Sequence, residues 1–96
     1  MDNEKYVIVR TVHAGVFFGI LISQNGQEVV LKNARRLWYW SGAASLSELA
    51  MNGVKNPDDC KFPCAVDEIK LFGTIEIINT TDKAVDSIQG VKEWTA

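Results

Sequence analysis

An α+β domain is what this sequence predicts: a small antiparallel β-sheet or partly closed β-barrel of five to six strands, with two short helices in its connections. Three observations carry that reading. Runs rich in β-branched and aromatic residues recur along the chain, separated by short turn-forming segments. Two short stretches begin with a Ser or Thr cap and end at a glycine, the signature of short helices. No strand–long helix–strand alternation occurs, which argues against a parallel doubly wound sheet.

The elements follow in order. Residues 1–4 read as a frayed end. Tyr6 to Val12 (YVIVRTV) is a strand, and His13-Ala14-Gly15 is a short connection. Val16 to Ser23 (VFFGILIS) is a continuous apolar run, as in a strand buried on both faces. Gly19 in its middle marks a bulge or a close approach of another backbone or a ligand. Asn25-Gly26 is a two-residue hairpin signal, and Glu28 to Lys32 is the returning strand. Arg36 to Trp40 is expected to be a further strand, with Trp38 and Trp40 on one face and Leu37 and Tyr39 on the other.

Ser45-Leu46-Ser47-Glu48 is a capping box, so a helix is expected from Leu46 to Asn52, stopped by Gly53. Its buried face is Leu46, Leu49 and Ala50. Asn56 to Pro63 is a turn-rich loop. Val66 to Ile78 alternates in polarity and predicts one long half-buried strand bent at Gly73, with Ile69, Leu71, Ile75 and Ile77 on one side. Thr80-Thr81-Asp82 caps a second helix over Lys83 to Gln89, with Ala84, Val85 and Ile88 inward and Gly90 at its end. Val91 to Trp94 is expected to close the sheet.

The chain has 96 residues, 47% of them hydrophobic and 23% charged. That composition suits a single globular domain over residues 1–96, and a chain of this size folds without disulfides or metal. No run approaches the roughly 20 apolar residues of a membrane helix. The acidic, polar start MDNEKYVIVR predicts no secretory signal, so a cytoplasmic protein is expected. A net charge of −2 argues against a general duplex-DNA binder, whose affinity comes from many phosphate-neutralising Lys and Arg. Cys60 and Cys64 are spaced C-x3-C without two further metal ligands nearby, and read as small, semi-buried reduced thiols.

Motifs that carry catalysis are absent. His13 is the single imidazole, and no G-x-S-x-G fixes a nucleophile. Adjacent residues of a strand point to opposite faces, so Asp67 and Glu68 do not converge; Asp58-Asp59 after Pro57 is turn chemistry. Phosphate loops of either glycine-rich type are missing. The expectation is therefore a protein without enzymatic activity, metal or cofactor.

The stretch KNARRLWYW, residues 32–40, remains. Arginine forks onto phosphate or carboxylate and stacks on rings. Trp and Tyr offer faces on which a base can stack. Trp, Tyr and Arg are also the usual hot-spot residues of protein interfaces. A small domain also fills its core with such rings, with Arg lying over them. Three readings stay open: core, interface, or ligand site. The candidate residues are Lys32, Arg35, Arg36, Trp38, Tyr39 and Trp40, and whichever arginine points outward is the better ligand group.

The runs VRTVHAGVFFG, EVVLKNARRLWYW and GAASLSELA, followed by CKF and VDEI, resemble a family of short, uncharacterised proteins of bacteriophages and prophages. The resemblance covers Tyr6 to Trp94. It implies an accessory factor that acts by binding: one that blocks a host or defence protein, sequesters a nucleotide-type anionic ligand, or assists virion or genome handling. The alternative is a structural or self-assembly module, a homo-oligomer in which the same residues form the interface and no small ligand exists.

Overall fold

The structure is a computed structural model that describes residues 4–96. Five strands and two helices follow in the order β1 (Tyr6–Thr11), β2 (Val16–Asn25), β3 (Glu28–Arg36), α1 (Leu46–Asn52), β4 (Val66–Leu71), β5 (Thr74–Asn79) and α2 (Asp82–Gln89), with a 3-10 turn at Pro57–Asp59. The expected frayed end lies outside the described residues except for Glu4, which accepts from Lys32 Nζ at 3.2 Å. All strand pairs are antiparallel, in the order β4-β3-β2-β1-β5.

The sheet curls because β4 and β5 lie at opposite edges yet are consecutive in the chain. Three Cα steps, from Leu71 to Thr74, span at most about 11 Å. Edge strands of a flat five-stranded sheet would stand about 19 Å apart. The bend at Phe72-Gly73 is pinned from both sides: Val12 N donates to Gly73 O at 2.9 Å, and Thr74 N donates to Gln27 O at 3.1 Å. The expected long strand is thus two strands joined at a bend, each pairing with a different edge of the central hairpins. The sheet remains open.

Two cores result. The inner face of the curl is lined by Val7, Val9, Phe17, Val29, Leu31, Ala34 and Leu71, all strand residues. The outer face carries Ile8 and Phe18, covered by Leu49 and Ala50 of α1, Ile88 of α2, and Leu37, Cys60, Phe62 and Val91 from the connections. Burial on both faces explains the unbroken apolar run at the start of β2.

Local chemistry accounts for each element. The β2–β3 turn uses Gly26-Gln27 as its central pair, one residue beyond the expected Asn25-Gly26, because Asn25 pairs with Glu28. Of the two, Gly26 takes the positive φ of 60°, as a type II′ turn requires. Ser45 Oγ accepts from Glu48 N at 3.1 Å, and Glu48 Oε1 reaches back to Ala44 N at 2.8 Å, closing the start of α1. Thr81 Oγ1 accepts from Ala84 N at 3.1 Å and caps α2.

Three expectations are corrected. Arg36 to Trp40 is not a strand. β3 runs to Arg36, and Leu37 N makes the last bond, to Val16 O at 2.9 Å, where β2 begins and no partner backbone remains. Tyr39 makes instead an isolated antiparallel bridge with Lys61. Val91 to Trp94 likewise contributes one parallel bridge, Glu93 with Phe62, rather than a closing strand. Ile75 is exposed instead of facing inward with Ile77. The register steps from Arg10–Glu76 to Thr11–Thr74, so Ile75 is bulged out of the ladder.

A second bulge matters more. Phe18 pairs with Arg35 and Ile20 with Lys32, so Gly19 stands opposite both Asn33 and Ala34. Asn33 takes the left-handed conformation, φ 53°, that asparagine tolerates best among residues with a Cβ. A Cβ at Gly19 would lie 3.1 Å from Ala34 Cα and 3.2 Å from Lys32 O. Valine at position 19 is therefore expected to destabilise the fold by about 1–3 kcal/mol, read as a lowered urea midpoint with unchanged slope.

Candidate functional site

The bulge sets the faces of the two arginines. Without it, Arg35 would share the inner face with Leu31. With the phase shifted by one residue, Ala34 joins that face, Arg35 turns outward to the helix layer, and Arg36 returns to the inner layer.

Arg35 is only 7% exposed. Its Nε donates to Pro63 O at 2.9 Å, one terminal nitrogen to Ile88 O at 2.9 Å, and the other to Phe62 O at 3.0 Å. The guanidinium also lies 5.6 Å from the Phe62 ring centroid. Burial lowers its pKa from the ordinary value, with Glu93 and Cys64 acting in the opposite sense. Among the described residues it makes no ion pair. Its direct hydrogen-bond partners are carbonyl dipoles, one of them in the last turn of α2, a turn with no basic residue of its own.

Arg36 has the opposite character. It is exposed, its carbon centre sits 4.4 Å from the Phe17 centroid, and one terminal nitrogen donates to Ala14 O at 2.8 Å. It also lines a groove of about 420 Å³ together with His13, Gly15, Trp38 and Trp40. The β1–β2 connection forms one wall of this groove and the chain leaving β3 forms the other. His13, remote in sequence, joins the site in this way.

The aromatic residues divide. Trp40 is half-buried against the helix-side core. Trp38 is 64% exposed and Tyr39 52%, so the expected strand-like alternation does not hold. Trp38 stacks parallel to Trp94, with centroids 6.5 Å apart and planes within 6°. Lys61 Nζ lies 5.6 Å from the Trp94 centroid and 6.0 Å from that of Tyr39. Trp94 and Lys61 were not singled out in the sequence. The bridges that bring them in, Tyr39–Lys61 and Phe62–Glu93, are single contacts without a periodic signature. Lys32 stands apart, paired with Glu4 beside Tyr6, Ile20 and Asn33.

The two cysteines also differ from expectation, since Cys60 is buried and Cys64 exposed. Cys60 Sγ accepts from Ser41 N at 3.4 Å, and burial raises its pKa from the ordinary value. Among the described residues no group of three or more His, Cys, Asp or Glu is placed to hold a metal ion, and no helix is long and apolar enough to cross a membrane.

The class of protein is thus a small α+β domain with a curled antiparallel sheet and an exposed aromatic face. The chain belongs to a family described as a domain of unknown function (DUF6948), which it matches over residues 4–88. No curated protein and no solved structure matches it.

Three expected outcomes test this geometry. Arg35→Met leaves Pro63 O without its donor, while Phe62 O and Ile88 O still accept from Trp94 N and Val91 N, and it is expected to cost about 1–3 kcal/mol, the range for a buried acceptor left unsatisfied. Arg36→Ala loses one exposed cation–π contact and is expected to cost about 1 kcal/mol or less in the same urea titration. A thiol-reactive maleimide should label the native protein at Cys64 alone, and at Cys60 as well after denaturation, read by intact mass.

Proposed function

We propose that this is a non-enzymatic binding protein, an accessory factor of phage or prophage type, which sequesters a nucleotide-type anionic ligand. The observation that carries the reading is the convergence of Arg36, His13, Trp38 and Trp40 on one groove of about 420 Å³. Pockets of about 300–1,000 Å³ hold small molecules, and a few polar groups among apolar walls fix their orientation. Arg36 would fork a phosphate while Phe17 and Ala14 O hold its guanidinium in place. An exposed indole would carry the base, a contact worth about 1–3 kcal/mol in nucleic-acid binders. Sequestration needs no nucleophile or general base.

A second reading has its own observation. Trp38, Tyr39, Trp94 and Lys61 form an exposed aromatic patch with a cation among the rings. Large exposed aromatics of this kind anchor protein partners. A host or defence protein is the occupant this surface would take.

Native mass spectrometry of the protein with a panel of linear and cyclic nucleotides separates the two. The expected outcome is a mass increment of one nucleotide per chain, lost in Arg36→Ala and in Trp38→Ala variants whose circular dichroism matches the parent. A ligand-free mass across the panel rejects the nucleotide and leaves the aromatic patch as a protein-binding surface.

A further inference from the structure

β4 is an open edge. Its one strand neighbour is β3, and Val66, Asp67, Glu68 and Lys70 are all exposed. Such edges carry unpaired N–H and C=O groups that template pairing with another chain. Two apolar residues flank this edge without cover: Val66, 44% exposed, and Phe72, 61% exposed, just past the strand end. Among the described residues neither Glu68 nor Lys70 makes an ion pair.

The order of these side chains is self-complementary about Ile69. In an antiparallel pairing of β4 with a second β4, centred on Ile69, each residue meets its mirror position. Glu68 falls opposite Lys70 and Lys70 opposite Glu68. Ile69 meets itself on the other face. Glu68 and Lys70 share one face of the strand, so the two charge matches lie side by side. Charged residues on an edge ordinarily deter pairing. Here the signs are arranged so that a two-fold partner meets the opposite charge, while a shift of register by two residues does not preserve both matches. The other edge, β5, has no such symmetry: its single charged side chain, Glu76, is held by Arg10 at 2.7 Å.

We propose that the protein forms a two-fold symmetric homodimer by antiparallel pairing of β4 with β4 of a second copy, registered on Ile69 by reciprocal Glu68–Lys70 contacts. The sheets of the two copies then run on as one, and the interface is isologous, the commonest arrangement of homodimers. This goes beyond the ligand-binding reading and does not depend on it.

Charge reversal tests both the interface and its register. Sedimentation velocity across a concentration series is run on the parent, on Glu68→Lys, on Lys70→Glu and on the double variant, each checked for native circular dichroism. The parent is expected to be dimeric. Each single reversal sets two like-charge contacts across the symmetry axis and should raise the dissociation constant at least about tenfold. The double variant restores opposite charges and should restore the dimer. A parent that stays monomeric to millimolar concentration overturns the proposal. So does a dimer that single reversals leave unchanged, or a folded double variant that does not recover.

Discussion

The buried guanidinium of Arg35 is the contact on which the rest of the structure depends. It reaches from β3 to the carbonyls of Phe62, Pro63 and Ile88 and so ties the sheet, the long connection and the end of α2 together. A buried charge is stable only when its hydrogen-bonding capacity is met. Here the acceptors are backbone oxygens, which hold their positions only if the connection and α2 are both docked. The same contact covers Phe62, a fully buried ring at the centre of the helix-side core. Packing of the outer layer and neutralisation of the charge are therefore one event.

The bulge opposite Gly19 makes that contact geometrically available. It inserts Asn33 into β3 and shifts the side-chain phase, so that Ala34 rather than Arg35 fills the inner core. Curvature acts with it. The short link between β4 and β5 forces the sheet to roll, the inner face closes on strand residues alone, and the outer face is left for the helices. A chain of this length thus builds two apolar layers around one sheet.

Chain exit from β3 then shapes the surface. Past Arg36 no strand partner is available, and the backbone crosses over with Trp38 and Tyr39 outward and Trp40 half-inward. Single bridges carry Lys61 and Trp94 up to these rings, while the β1–β2 connection brings His13 alongside Arg36. The two neighbours are thereby divided: Arg35 is bound within the fold and Arg36 is exposed at the wall of the groove.

Periodicity and turn chemistry in the sequence determined the α+β class, α1 and its cap, α2, the β2–β3 hairpin to within one residue of its turn, the bend at Gly73 and an irregularity at Gly19. Each of these rests on residues close together in the chain: alternation, a Ser or Thr before a helix, or a glycine breaking an apolar run. KNARRLWYW was legible as an unusual cluster, but not the division of its members between core and surface. Two adjacent arginines of one strand must point to opposite faces; which one is inside depends on where the bulge sits and on carbonyls contributed 27 to 53 residues away. The end of β3 was likewise settled by where β2 starts, not by the β-propensity of Trp and Tyr. Partners remote in sequence leave no local periodic trace, so only the tertiary structure could assign Arg35 to the fold and bring His13, Lys61 and Trp94 to the aromatic face.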